Sequence, residues 1–331
     1  MTTELYRPRR DVSGVALQGG YLAKRCPLHV YYGTYPPPGA VPVEVSPMAR
    51  RRMDAGIAFE VMTFEMITTQ HDDVVHVPAV SDPVDQAVTM AAMRAGTAVI
   101  LGGVLPIDAL GRRVGKPDVL VRAERRGDTW AYHPVDVKHH QALAAPTANS
   151  SPALVSTLAN LRARYDNADR QCRRGDTIND DLLQLAHYHR MLAACGHASG
   201  EPLAAVIGAE GIAVWHSLNA PRFAPRWDGM PEESPLQRYD FEFSFRLDVL
   251  AAGADGACIV EPVNTKHCVG CDWERLCTPQ LQRADSVSLL PRQSYNSWRA
   301  CQRAGVTTRA EVAALDHRSA TALYGLDAAS R

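Results

Sequence analysis

The sequence lacks the features that would place the protein in a membrane or carry it across one. No apolar run approaches the roughly 20 residues needed to cross a bilayer, and the N-terminal segment MTTELYRPRR has no apolar signal-peptide core. An excess of positive charge is also missing, because the formal net charge is -1. We therefore expect a cytoplasmic protein with no membrane partner, in which any nucleic acid would contact a local basic patch.

A disulfide framework is not expected either, because a cytosolic chain keeps its thiols reduced. Four of the eight cysteines are scattered along the chain: Cys172, Cys195, Cys258 and Cys301. Three others are clustered, which suggests a metal site: Cys268, Cys271 and Cys277. The 331 residues, 46% hydrophobic and 21% charged, are those of a globular protein with an ample core in one large domain or two modest ones.

The stretch from Gly115 to Lys138 (GKPDVLVRAERRGDTWAYHPVDVK) has the pattern of a β-hairpin. Runs of β-branched and aromatic residues flank the short polar turn Arg-Arg-Gly-Asp. Asp118 lies on the first strand, and Asp136 and Lys138 lie on the second. Residues two apart on a strand share a face, and pairing of the strands about this turn brings Asp118 to the same patch.

Two carboxylates and a lysine on one patch can hold a divalent cation. Hard oxygen ligands suit Mg²⁺ or Mn²⁺, and Lys138 could orient the attacking water or help to deprotonate it. The alternative is a surface hairpin with an Asp–Lys ion pair. Pro-Asp, a hairpin's length of chain and Asp-x-Lys between apolar residues form a rarer combination than Asp-x-Lys alone, which favours the catalytic interpretation.

Helix and strand patterns surround the hairpin. Helices are predicted over residues 47–67, 82–95, 181–195 and 234–251, and strands over 97–105 and within 202–218. The order helix, strand, hairpin, helix, strand predicts an α/β fold with a mixed central sheet flanked by helices. Five arginines indicate either a solvated helix face or a stripe along a phosphate backbone: Arg162, Arg164, Arg170, Arg173 and Arg174.

The predicted helices contribute further candidate site residues. The apolar residues of the first recur at helical spacing: Met53, Ile57, Val61 and Phe64. Glu60 lies within this apolar stretch and could face inward as a metal ligand, whereas Glu65 is expected in solvent. Gln184 and Tyr188, four residues apart, share a helix face and could contact phosphate or orient the active site. The adjacent histidines His139 and His140 would point to opposite faces of a strand, so they cannot both bind one metal there.

The cysteine segment TKHCVGCDWERLC has the spacing C-x2-C-x5-C, which supplies three thiolates where tetrahedral sulfur coordination needs four. A structural zinc site would need His267 or a remote cysteine to complete it. An iron–sulfur cluster would need a fourth cysteine, and Cys26, just before Pro27, is a candidate for that position.

Together the N-terminal Cys-Pro, the PD…DxK hairpin, the QxxxY helix and the C-x2-C-x5-C segment resemble the iron–sulfur members of the RecB family of PD-(D/E)XK nucleases, which include the CRISPR-adaptation and AddB-type nucleases. The resemblance runs from about Cys26 to Cys277. It implies a restriction-endonuclease-like core, Mg²⁺ or Mn²⁺ on Asp118 and Asp136, a catalytic Lys138, and assistance from Gln184 and Tyr188. It also implies a [4Fe–4S] cluster on four cysteines: Cys26, Cys268, Cys271 and Cys277. Relatives often have a histidine where this chain offers Glu60, and a glutamate where it has Asp136.

The sequence therefore predicts a nuclease domain over residues 1–280, closed by the cluster, and a small helical tail over 286–331. Thr308 and Glu311 fit a capping box, and the Ala304-Gly305-Val306 turn between two helices resembles a helix–hairpin–helix. We expect a metal-dependent deoxyribonuclease that acts on single-stranded DNA or DNA ends in repair, recombination or defence, with a helicase or similar protein as a potential partner. The alternative is an inactive DNA-binding or assembly module stabilised by an iron–sulfur or zinc site.

Overall fold

A computed structural model describes residues 16–226, 229–291, 295–316 and 318–319. The chain divides into two compact units, of which one comprises Met1–Lys24 with Arg51–Arg246 and the other Arg25–Arg50 with Leu247–Arg331. Ten strands are described: β1 (Val74–His76), β2 (Val99–Leu101), β3 (Val119–Arg126), β4 (Thr129–Val137), β5 (Leu143–Ala144), β6 (Ala153–Thr157), β7 (Tyr165–Asn167), β8 (Gln171–Cys172), β9 (Leu203–Ile207) and β10 (Ile212–Ser217).

Eight of these strands form one mixed sheet in the order β1-β2-β3-β4-β9-β10-β6-β7. The pairs β1–β2 and β4–β9 are parallel, and the other neighbours are antiparallel. Strands β5 and β8 make a separate antiparallel pair. The predicted α/β fold with a mixed sheet flanked by helices is confirmed.

The α-helices of the described residues are α1 (Pro27–Thr34), α2 (Pro47–Gln70), α3 (Asp82–Ala95), α4 (Asp176–Ala194), α5 (Pro235–Ala254), α6 (Glu274–Arg283), α7 (Tyr295–Arg303) and α8 (Arg309–Ala313). The four helices predicted in the first 260 residues correspond to α2, α3, α4 and α5. None of the helices in the described part of the chain is both long and apolar enough to span a membrane.

The hairpin β3–β4 forms as predicted. Val119, Leu120 and Val121 are buried on both faces of the sheet, which explains why their run is continuous rather than alternating. The strands join through a two-residue turn whose first residue, Gly127, has φ of 59°. A glycine tolerates this left-handed conformation, and such turns suit the twist of a hairpin.

Helices cover both faces of this sheet. Phe64 and Ile67 of α2 pack with alternate residues of the hairpin, including Val119 and Val135, in one apolar cluster. Helices α3 and α4 contact β4 as well. The sheet therefore holds the hairpin rigidly, and side chains on the α4 side of β4 are enclosed.

Two stretches of the sequence fold differently from what a helical pattern suggests. Met53, Ile57 and Val61 do not form the buried stripe of α2, because their exposed fractions are 59%, 61% and 52%. The helix packs on the sheet mainly through its C-terminal half, where Phe64 and Ile67 are buried.

The segment 156–174 is not a helix. It contributes the end of β6, all of β7 and β8, and a 3-10 turn, because β6 pairs with the distant strand β10. The arginines of this segment therefore do not form a helix face: Arg164, for example, stacks its guanidinium over Trp215, 5.3 Å from the ring centroid.

The second unit contains the cysteine segment and the C-terminal helices. Leu28 and Tyr32 of α1 pack with Trp273, and Val43 donates its backbone N–H to the Asp272 carbonyl at 2.7 Å. The predicted capping box is present, because the Thr308 and Glu311 side chains each accept from the other's backbone N–H. Residues 292–294, 317 and 320–331 of the predicted tail lie outside the described residues, and the helix–hairpin–helix remains a prediction.

Candidate active site

The hairpin places two carboxylates opposite each other. Val119 pairs with Val135, so Asp118, one residue before β3, lies across from Asp136 on the same face. The backbone N–H of Val137 donates to Oδ2 of Asp118 at 2.7 Å. This bond fixes one oxygen of Asp118 and leaves the rest of the carboxylate to face its neighbours.

Asp136 is a fully buried carboxylate, with an exposed fraction of 0%. Among the described residues neither of its oxygens has a hydrogen-bond partner, although Nζ of Lys138 lies 3.1 Å from Oδ2 as an ion pair. This contact is an ion pair by its distance, but its angles are not those of a hydrogen bond. Burial raises the pKa of Asp136 despite the nearby lysine, so the ionised carboxylate is poorly stabilised where it lies.

The pKa values of the residues next to Asp136 are shifted as well. Burial first, and then repulsion by Asp136, raise the pKa of Asp118 well above its usual value. Burial works to lower the pKa of Lys138, but attraction to Asp136 and Asp118 prevails and raises it. Lys138 is therefore held as a cation between two carboxylates that repel each other.

Helix α4 contributes the two residues that its spacing predicts. Gln184 and Tyr188 are both buried, and Nε2 of Gln184 donates to the Tyr188 hydroxyl at 3.0 Å. Oε1 of Gln184 accepts from Lys138 at 3.5 Å. Burial raises the pKa of Tyr188, and the charges of Asp136 and Asp118 raise it further, so the hydroxyl remains protonated beside the carboxylates.

Two residues of this group were missed in the sequence. Lys24 donates to Oε1 of Gln184 at 2.9 Å, and Asp181 contacts Nε2 of His140 at 2.9 Å. The hydrogen bond to Asp181 is the main factor that raises the pKa of His140. Neither residue belongs to a motif, although Asp181 lies one helical turn before Gln184 and could have been found from that spacing.

Glu60 faces this group from α2. Burial raises its pKa, Lys138 lowers it and Asp136 raises it, so it interacts electrostatically with both members of the ion pair. Glu65, on the same helix, is exposed. His139 stacks on Phe59 with ring centroids 5.2 Å apart, a contact that occupies its ring.

A cavity of about 1090 Å³ opens onto these side chains. Five of the candidate residues line it: Glu60, Asp118, Lys138, Gln184 and Tyr188. Asp136 is not among the residues that line the cavity. Apolar residues such as Ile57 and Leu105 form much of the remaining wall. The cavity can admit a substrate group of considerable size to one cation and two carboxylates.

The second unit brings the four predicted cysteines within electrostatic reach of one another. Burial, and then the proximity of Cys26, Cys271 and Cys268, raise the pKa of Cys277 to about 12. Burial is also the main factor that raises the pKa of Cys271, whereas a hydrogen bond from the Trp273 backbone lowers it. His267, the alternative fourth ligand, is exposed.

Two N–H groups lie near these cysteines, one on the backbone and one on an indole side chain. Thr265 donates its backbone N–H to Sγ of Cys268 at 3.4 Å. The indole of Trp273 is buried, and its Nε1 has no hydrogen-bond partner among the described residues. Such N–H donors stabilise thiolates and cluster sulfurs.

Neither site has its candidate ligands already arranged for an ion: within the described ranges no group of three or more His, Cys, Asp or Glu residues has the geometry of a metal site. Comparisons with protein-family models, with curated proteins and with solved structures find no match to the chain. The chemistry of both sites is therefore inferred from their own side chains.

Proposed function

We propose that the protein is a metal-dependent nuclease that hydrolyses DNA phosphodiester bonds. Asp118 and Asp136, with Glu60, would hold Mg²⁺ or Mn²⁺, which when bound would stabilise charge on the scissile phosphate and lower the pKa of the attacking water. Lys138 would position that water, and Gln184 and Tyr188 would contact the phosphate or orient the active site. The cavity would admit the DNA strand to these groups.

The observation that carries the proposal is that Asp136 is fully buried and has no hydrogen-bond partner among the described residues. A buried carboxylate with no hydrogen bond is costly unless a cation or donors compensate it, and one nearby lysine is shared between two carboxylates. The donors around it are carboxylate oxygens, which suit a hard divalent ion. The residues therefore fit such an ion better than they fit a purely structural ion pair.

The topology supports a restriction-endonuclease-like core of the PD-(D/E)XK type. The antiparallel strands β2, β3 and β4 are followed by α4 and by β9, which is parallel to β4. This is the core order that the sequence resemblance implies. Single-stranded DNA or DNA ends as substrate, a role in repair, recombination or defence, and a helicase partner are proposed on that resemblance alone.

We also propose that Cys26, Cys268, Cys271 and Cys277 hold a [4Fe–4S] cluster. The chemistry of the donors supports this, because burial and the neighbouring thiols raise the pKa of Cys271 and of Cys277, and a metal that displaces thiol protons would compensate that cost. The N–H groups at Thr265 and Trp273 would donate to sulfur. The cluster would supply cross-linking of distant parts of the chain, and no catalytic step depends on it.

The function is tested by cleavage of end-labelled single-stranded and duplex DNA in Mg²⁺ and in Mn²⁺ by anaerobically purified protein. Wild type should cut, and Asp136→Asn and Lys138→Met should lose the activity. Asp128→Asn is the matched control, since Asp128 is an exposed aspartate in the turn of the same hairpin. If wild type binds DNA but cuts neither form with either metal, the alternative of an inactive DNA-binding module is favoured.

The cluster is tested separately by metal analysis. Protein purified without oxygen should be brown and contain iron and acid-labile sulfide in equal amounts, and Cys26→Ser should lose both. Cys172→Ser is the control, because Cys172 lies on β8 in the other unit. Colourless protein that contains zinc instead would favour the zinc-stabilised alternative.

A further inference from the structure

Lysine is rare in this chain, and two of the lysines meet at one side chain. Only four of the 35 Lys and Arg residues are lysines, so positive charge is almost always supplied by arginine. Lys24 and Lys138 both donate to Oε1 of Gln184, at 2.9 Å and 3.5 Å. Lysine differs from arginine in its compact charge and three rotatable donors. Its use at both positions indicates that these ammonium groups serve the same site.

The two ammonium groups determine which way the Gln184 amide faces. Because a lysine donates hydrogen bonds and cannot accept them, the amide atom that faces both lysines must be the oxygen. The amide nitrogen then donates to the Tyr188 hydroxyl at 3.0 Å. Since the hydroxyl oxygen accepts this bond, its own proton is left to donate elsewhere, and Tyr188 lines the cavity beside Asp118.

Lys24 makes the shorter of the two bonds to Gln184. Lys138 is drawn toward Asp136, which is 3.1 Å from its Nζ, and it reaches the amide only at 3.5 Å. The segment that carries Lys24 also packs closely on Gln184, because a Cβ on Gly20 would lie 3.2 Å from the glutamine Cγ. The amide orientation therefore depends mainly on Lys24.

Neutralisation of the nearby carboxylates does not explain why a lysine lies at position 24. Burial lowers its pKa, and repulsion by Lys138 lowers it further, and together these outweigh the attraction of Asp181 and Asp136. The Nζ of Lys24 also lies 4.2 Å from the centroid of the Tyr21 ring, a cation–π contact that offsets part of the cost of burial and keeps a cation beside Gln184.

We propose that Lys24 is a positioning residue, which holds the Gln184 amide so that the Tyr188 hydroxyl donates a hydrogen bond to the substrate phosphate. This inference rests on the proposed function, because the acceptor is the phosphodiester of DNA. Tyr188 touches the substrate in this scheme, whereas Lys24 acts through Gln184 and does not line the cavity. No motif in the sequence indicates this role for Lys24.

The first test is a double-mutant cycle on the cleavage rate. Lys24→Met should lower kcat by roughly 10- to 100-fold, as loss of an orienting partner does, with little change in KM. In a Gln184→Met background the same substitution should have no further effect, because its target is already gone. Lys24→Arg, which keeps a charged donor, should recover part of the rate. Independent, additive losses in the double variant, or an unchanged rate in Lys24→Met, would overturn the inference.

The second test does not depend on cleavage. In protein labelled with ¹⁵N on glutamine side chains, the Gln184 amide signals are identified by their loss in Gln184→Met. Lys24→Met should shift these signals, and Lys116→Met, which breaks an ion pair with Asp82, should not. Signals unmoved by Lys24→Met refute the positioning role. If they move but wild type cuts no DNA with any divalent metal, the proposed function fails and the role of Lys24 on Gln184 stands.

Discussion

Substitution of Asp118 by asparagine should stabilise the protein without metal and abolish its stabilisation by metal. The Cβ atoms of residues opposite each other on paired strands are about 5 Å apart, and two unit charges at such a distance repel by about 3 kcal/mol at an effective dielectric constant of about 20. Lys138 offsets part of this repulsion. Removal of one charge should therefore raise the free energy of unfolding by about 1–2 kcal/mol.

The folded structure can accommodate this substitution. The asparagine oxygen can accept the Val137 N–H that Asp118 Oδ2 accepts at 2.7 Å, and Asp136 remains as the partner of Lys138. A gain of this size should raise Tm by about 2–6 °C.

The assay is thermal unfolding in EDTA and in Mn²⁺. Mn²⁺ at about 100 times its Kd should stabilise wild type by about 2.7 kcal/mol and the variant by far less, so that the order of stability reverses. Asp128→Asn should behave as wild type in both conditions. A variant less stable than wild type in EDTA, or equally stabilised by Mn²⁺, would refute the view that these carboxylates repel each other until a cation binds.

Three further predictions follow from other residues. Burial lowers the pKa of His216 to about 3, below the usual value of about 6.5, so the folded protein loses stability as pH falls from about 6.5 toward 3. At pH 5 this loss is about 2 kcal/mol. The free energy of urea unfolding should therefore differ less between pH 7 and pH 5 for His216→Phe than for wild type. A Cβ on Gly115 would lie 2.8 Å from Cε1 of Tyr188, so Gly115→Ala should displace that ring, cost about 1–3 kcal/mol of stability and slow cleavage; wild-type rates would contradict this. Glu60→Gln should weaken Mn²⁺ binding by roughly 10-fold or more, measured by the EPR signal of free Mn²⁺, whereas the exposed Glu65→Gln should leave it unchanged; equal effects would exclude Glu60 as a ligand.

The hairpin could be predicted because residues close together in the sequence determine it. The apolar runs, the glycine in the turn and the two-residue alternation are enough to place Asp118, Asp136 and Lys138 on one face. Gln184 and Tyr188 followed from helical spacing, and the sheet brings α4 against that face. The roles assigned to these residues remain proposals, but their proximity is a property of the fold.

Other features depend on contacts that periodicity does not encode. The apolar side chains of Met53 and Ile57 border the cavity instead of the core, because a helix that extends past its sheet can expose part of an apolar stripe. Residues 156–174 begin within β6, whose partner, β10, lies more than forty residues further along the chain. Lys24 belongs to no motif, and its relation to Gln184 exists only after a segment 160 residues away has packed on α4.

The most direct test of the central claim is a crystal structure of the protein grown with Mn²⁺ and measured at a wavelength where manganese scatters anomalously. The proposed function predicts an anomalous peak coordinated by oxygens of Asp118 and Asp136, which should be absent from crystals of Asp136→Asn. Density that shows Asp136 still paired only with Lys138 at saturating Mn²⁺, or manganese bound elsewhere alone, would contradict it.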